Sequence, residues 1–229
     1  GSTAYNFGNL AIGTSNQTLS SVTSGNQNLA IGSRAMQYTT SGGNNMAFGA
    51  DAMRYNTTGS GNLAIGPFAL MMNETGNNNL AVGTGAAGNV VAGTNINNIT
   101  AIGNNALSKT QANANTAIGS NAMFENTTGT TNTVVGDLAL RNGTTASQNI
   151  AIGTQALENS NSDDNVAIGV NALRNNSTYR TIGIGSFALQ DNQGLYNTAI
   201  GFQALTTNTT GNQNTAVGYD ALRYNTTGD

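Results

Sequence analysis

The 229-residue chain contains no cysteine, no histidine and no tryptophan, and its only proline is Pro67. Without cysteine neither a disulfide nor a thiolate metal site can form, and redox habit gives no compartment. Without histidine the commonest general base is missing, so a base would have to come from the ten acids or from Lys109. Their spacing does not supply a nucleophile, a base and an orienting group, and the chain reads as a non-enzyme without a cofactor. Charged residues are only 7% of the chain and the formal net charge is −3, with no basic stripe, which argues against nucleic acid as a partner. No apolar run is long enough to span a bilayer, so no membrane insertion by this segment is expected. The adjacent acids Asp163 and Asp164 lack the dense ligand spacing of a calcium loop and read as a solvated turn. The glycines come with neither the lysine nor the strand-to-helix context of a phosphate-binding loop.

What is present is a repeat. Gly13, Gly32, Gly49, Gly66, Gly83, Gly103, Gly119, Gly136, Gly153, Gly169, Gly185, Gly201 and Gly218 recur at intervals of 16 to 20 residues. Periods of this length mark stacked architectures in which each unit contacts its neighbours. The chain is therefore read as one repeat domain over residues 1–229. Gly1 and Ser2 look like a cloning scar, and Asp229 falls inside a turn of the repeat, so a fragment of a longer fibre is expected.

Each unit has a legible grammar. The residue before the glycine is always Ile, Val or Phe: Ile12, Ile31, Phe48, Ile65, Val82, Ile102, Ile118, Val135, Ile152, Ile168, Ile184, Ile200 and Val217. The residue before that is nearly always Ala, and the one before it is Leu, Met, Ile, Val or Thr. This alternation predicts a strand with one bulky and one tiny face. The bulky row is expected to form the structural core, and the tiny face to let a neighbouring chain come close. Ala three residues after the glycine, usually followed by Leu or Met, predicts a second short strand beyond a tight bend at the glycine. A polar return follows, typified by "NTTG" at Asn56, Asn126, Asn208 and Asn225. Asn four residues before the glycine recurs in eleven of the thirteen units. It suits either a plain turn or an amide ladder running along the stack. Two or three aliphatic side chains per unit are thin for a self-sufficient core, which points to other copies of the chain as packing partners.

The string N-x-A-I-G-x-x-A, seen as "NTAIGSNA", "NVAIGVNA" and "NTAIGFQA", resembles the head repeats of trimeric autotransporter adhesins of the Yersinia YadA type. It equally resembles related repeats of phage and phage-like tail fibres. The resemblance covers nearly the whole chain, and implies a left-handed parallel β-roll (β-solenoid) of about 13 coils per chain, assembled as a side-by-side homotrimer. The implied role is a surface fibre or adhesin head that attaches to a glycan or protein on a host or prey cell, outside the cell or on a virion tail. The period here is a few residues longer than is common in those repeats, and the extra residues lie in the NTTG-like return.

Other readings compete. "IGxxAL" resembles one hexad of the hexapeptide acyltransferase helix, but the remaining residues of each unit are polar and those enzymes resemble one another in using a histidine base. Thr100, Thr116, Thr133, Thr198 and Thr215 at the strand start motivate an ice-binding solenoid, although Leu, Met, Ile or Val elsewhere in that row suits burial. A structural spacer and a contractile-injection tail fibre fit the repeat as well. Ligand contacts are sought in departures from the rule, above all the irregular unit 84–100 with Asn89, Thr94, Asn95, Asn97 and Asn98, its inserted "VVAG", and Ala87 in place of Leu. Asn16 breaks the first unit. Tyr179, Tyr196 and Tyr219 are the aromatic candidates for stacking on a sugar. Arg54, Arg141, Arg174 and Arg223 lie five residues after their glycines, as an exposed flank or an acidic-glycan contact.

Overall fold

The computed structural model describes residues 8–13, 17–90 and 94–228. Gly1, Ser2, Asn16, most of "VVAG" and Asp229 lie outside them. The chain forms two compact units, Gly1–Ala114 and Asn115–Asp229. In the first, β1 (Leu10–Ile12), β2 (Leu29–Ile31), β3 (Met46–Phe48), β4 (Leu63–Ile65), β5 (Leu80–Val82) and β6 (Thr100–Ile102) pair in chain order, all parallel. The second stacks β7 (Thr116–Ile118), β8 (Thr133–Val135), β9 (Ile150–Ile152), β10 (Val166–Ile168), β11 (Ile182–Ile184), β12 (Thr198–Ile200) and β13 (Thr215–Val217) in the same way. Each paired strand keeps the same repeat positions in register: the glycine-preceding Ile sits over Ile or Val except at Phe48, and Ala over Ala, as in Ala151 against Ala167, except at Val134 and Gly183. This is an all-β parallel β-solenoid, with no helix among the described residues.

The two faces of the strand are inverted relative to the sequence expectation. Its central residue, usually Ala, points into the coil and is fully buried from Ala30 to Ala199. The flanking bulky residues point out: Ile12 is 54% exposed, Ile152 38%, and none of the thirteen glycine-preceding residues counted above as core is buried within its own chain. The reason is the narrowness of the coil. A methyl group added at Gly183, the strand centre of β11, would already meet Leu173 Cγ of the preceding coil at 3.0 Å and the Ala188 carbonyl at 3.2 Å. The small face thus admits the chain's own backbone, not a neighbour's. The core is instead the strand-centre alanine row, the Ala three residues after the glycine, and the Leu or Met that follows it, as in Ala156 and Leu157.

The predicted second strand is absent. Between Gly153 and Ser160 the N–H groups of Ala156, Glu158 and Ser160 donate to the carbonyls of Gly153, Gln155 and Leu157, a run of overlapping tight turns. It requires left-handed backbone at Gln155 (φ 58) and Leu157 (φ 53). Non-glycine residues in that region cost about 1–3 kcal/mol each unless their surroundings over-determine them. Here the surroundings do: Gln155 N–H donates to Asp137 of the preceding coil at 2.9 Å and Leu157 N–H to Ala172 of the next at 3.1 Å. Turns can therefore stack as strands do.

The asparagine before the strand forms the ladder. Asn132 Nδ2 donates to Asn115 Oδ1 at 3.1 Å, and Asn149 Nδ2 to Asn132 Oδ1 at 3.2 Å, both buried. Each also donates across the coil to the return, as Asn62 does to the Gly76 carbonyl at 2.8 Å, where the NTTG-type Asn73 arrives at 3.1 Å. So one side of the coil interior is aliphatic and the other is amide. Thr127 Oγ1 donates to the next coil's Thr144 carbonyl at 2.9 Å, a carbonyl that also accepts the Thr127 N–H. Thr127→Val is expected to cost only about 1 kcal/mol, because no buried group is orphaned. Thermal unfolding should show the midpoint lowered by about 2–4 °C.

Candidate functional site

Three surfaces could carry function. The first is the outward strand face, a parallel sheet whose rows hold Ile118, Ile152 and Ile200 together with Thr116, Thr133, Thr198 and Thr215. In the loops, threonine hydroxyls are consumed by the neighbouring coil, as at Thr40, Thr57 and Thr209. Those on the strand face bond to no described residue. The expectation that this row suits burial is therefore corrected: within the chain it is open, because the alanine between its members takes the interior.

The second surface lies on coils of the first unit. Asp51, 2% exposed, receives Arg34 Nη2 at 2.7 Å and Arg54 Nη1 at 3.4 Å. Arg54 Nε donates to Gln37 Oε1 at 3.0 Å. Its guanidinium lies 5.0 Å from the Tyr55 ring centroid and 5.9 Å from that of Tyr38. The two rings stack 5.3 Å apart with planes 13° from parallel. All of this follows from register: Gln37, Arg54 and Met71 share one row, and Tyr38, Tyr55 and Met72 the next.

The third is a row in the second unit where Asn142, Asn159, Asn175 and Asp191 hand amide hydrogens along the stack at 2.6–2.7 Å. Beside it Arg174 Nε meets Glu158 Oε2 at 2.7 Å. These groups satisfy one another and leave little for a ligand.

The residues singled out in the sequence do not converge. In the irregular unit several departures face inward: Val90, Ile96 and Ile99 are buried, Val90 and Ile99 standing where the preceding coil has Asn73 and Asn79, and Ile96 standing where it has Gly76 and supplying the carbonyl that Asn79 Nδ2 reaches at 2.7 Å. Ala87 keeps the left-handed turn position of the Leu it replaces (φ 45). Asn89, Asn95 and Asn98 are exposed, whereas Thr94 and Asn97 are half-buried. Several of these side chains hold adjacent coils: Asn89 Nδ2 donates to Ser108 Oγ at 2.9 Å, Asn97 Oδ1 accepts the Asn77 N–H at 2.8 Å, and Asn95 Oδ1 accepts from Thr75 Oγ1. Tyr179 and Tyr196 are exposed loop residues at different positions of their coils, and Tyr219 stacks on Phe202 at 5.3 Å. Asp163 Oδ1 caps the Ser147 N–H at 2.7 Å and Asp164 lies 3.5 Å from Arg180, an exposed turn as expected. Arg54, a candidate acidic-glycan contact in the sequence, gains Gln37, Tyr38 and Arg34 as neighbours from the preceding coil, and only laying the coils in register would have brought these together.

Comparison of the chain with protein-family models, with curated proteins and with solved structures gave no match.

Proposed function

We propose that this chain is a segment of a homotrimeric surface fibre or adhesin head, outside the cell or on a virion or injection-machine tail, that attaches to a surface glycan or protein without catalysis. The observation that carries the reading is the outward strand face. Rows of half-exposed Ile, Leu and Val on a parallel sheet are unusual on a monomer, where contiguous apolar patches rarely exceed a few hundred Å². Packing that face against copies of itself buries the rows, and identical coils keep them in register along the contact. The small-residue face is already used inside each coil, so assembly runs through the bulky one. Light scattering is expected to give about 70 kDa, three times the 23.2 kDa chain. Ile152→Asp should shift the protein toward monomer and lower its melting temperature sharply, since it places a charge in that contact. Thr209→Asp in the exposed return should leave the mass unchanged and cost only the few degrees that go with losing its hydroxyl bond to the Thr226 carbonyl. A stable 23.2 kDa species in the unmodified protein, or equal effects of the two substitutions, would defeat the reading.

A second reading is favoured by one observation. The hydroxyls of Thr116 and Thr133, and of Thr198 and Thr215, stand unused on an open sheet as two neighbouring pairs at the strand spacing of about 4.8 Å, the kind of spacing an ice-binding face would use. Thermal hysteresis measured on a monomeric sample would establish it in place of the fibre.

A further inference from the structure

We infer that Arg34, Arg54 and Tyr38 form a binding site for a sugar carrying a carboxylate. The inference deepens the attachment reading by naming a ligand class and a place for it. Two guanidinium groups surround one buried carboxylate, so the Arg34–Asp51–Arg54 group keeps one positive charge in a chain whose net charge is −3. That charge is reachable from the outer end of the guanidinium: the Arg34 side chain is 41% exposed, although its Nε is buried. Arg54 is held in place by Asp51, by Gln37 and by the two tyrosine rings, so its guanidinium loses little freedom when it takes up an anion. Such pre-positioned forks suit a carboxylate, which can accept two parallel N–H bonds.

The aromatic part fits the rest of a pyranose. One face of Tyr38 is covered by Tyr55 of the next coil. On the preceding coil Leu19 pairs with Ala35 as Met36 does with Ala52, which puts Ser21 in register with Tyr38. A serine is too small to cover a ring, and Tyr38 is 39% exposed. An open aromatic face beside a fixed cation receives the C–H face of a sugar ring while the cation takes its carboxylate. The site also survives assembly. The strand centre packs against the turn segment that carries the buried Leu or Met, so residues one and two places beyond that Leu or Met, here Arg54 and Tyr38, lie across the coil from the outward strand face.

The test is saturation-transfer NMR and titration of the whole protein with N-acetylneuraminate, glucuronate, galactose and galactose 6-sulfate. Both carboxylated sugars should receive saturation and bind at least tenfold more tightly than galactose. Arg54→Gln should remove that preference, and Tyr38→Ser should weaken both carboxylated sugars while leaving the circular dichroism spectrum unchanged. Absence of transfer to either carboxylated sugar, undiminished binding in Arg54→Gln, or preference for the sulfate over both carboxylates would overturn the assignment. Particle mass measured on the same samples separates the two proposals. A monomer that binds carboxylated sugar defeats only the assembly, and a trimer that binds none defeats only the site.

Discussion

Ala151→Leu is expected to lower the melting temperature more than any surface substitution in the chain. Ala151 is the centre of β9, fully buried, and pairs with Ala167. The equivalent position at Gly183 shows how little room remains beyond Cβ: Leu173 Cγ would be 3.0 Å from an added methyl. Leucine adds three further carbons to a site bounded by a backbone carbonyl and a branched side chain, and overpacking of this kind costs about 3 kcal/mol or more. A fall of about 6–12 °C should appear in thermal unfolding followed by circular dichroism. The chain contains a natural control. Val134 occupies the same position in β8 and is fully buried, and the residue that corresponds to Leu173 in the preceding coil is Met123. Methionine is unbranched and adapts to irregular space. Leu140 faces Ala151 by the same register, so Leu140→Met should recover part of the loss. A melting point for Ala151→Leu within a degree of the unmodified protein would show that strand centres are not interior.

The repeat, the strand and the bend at its glycine were legible because each is written thirteen times and registers without slippage. The asparagine ladder was legible as one of two readings, and the bonds from Asn45 to Asn28 and from Asn62 to Asn45 decide for it. Which strand face turns inward was not legible. Alternation identifies two faces, and the habit of placing bulk inside selects the wrong one when the coil is too narrow to hold Ile on both sides. Leu157 and its counterparts misled in another way: Ala-Leu after a glycine reads as a strand, and nothing in leucine's own preferences announces left-handed backbone. That conformation is imposed by bonds to the coils on either side. In the irregular unit 84–100 the sequence alone did not separate the buried departures, Val90, Ile96 and Ile99, from the exposed Asn89, Asn95 and Asn98, because a break in a repeat does not say which side of the coil it faces. Arg54 was legible as a candidate acidic-glycan contact, but not its neighbours Arg34 and Tyr38, which belong to the preceding coil and meet it only through stacking.

Asn132→Leu is expected to rank next in effect, although leucine is close to asparagine in size and more apolar. Asn132 is buried and uses its amide completely. Its Oδ1 accepts the Asn149 backbone N–H at 3.0 Å and Asn149 Nδ2 at 3.2 Å. Its Nδ2 donates to Asn115 Oδ1 at 3.1 Å and to the Ala146 carbonyl at 2.7 Å. Two of these partners have other bonds: Asn149 Nδ2 also reaches the carbonyls of Ser147 and Ser162, and Asn115 Oδ1 also accepts the Asn132 N–H. The Asn149 N–H loses its acceptor, and the Ala146 carbonyl loses its amide donor from across the coil. An orphaned buried polar group costs about 1–3 kcal/mol, so the substitution should destabilise by about 2–6 kcal/mol despite the apolar gain. Asn132→Asp tests the chemistry separately, because it keeps the acceptor for Asn149 but cannot donate to Ala146 and would bury a charge among carbonyl oxygens. The chain itself shows what an imperfect rung looks like: at Thr181, where the asparagine is missing, the backbone N–H still donates to Asn165 Oδ1 at 3.0 Å, but Asn165 Nδ2 is buried with no partner. Thr181→Asn would restore the ladder donor at this rung, its Nδ2 reaching Asn165 Oδ1 as Asn132 Nδ2 reaches Asn115 Oδ1, and should raise the melting temperature, opposite in sign to Asn132→Leu. Thermal unfolding of both variants decides the matter, and a neutral result for Asn132→Leu would mean that the ladder follows from the coil geometry without stabilising it.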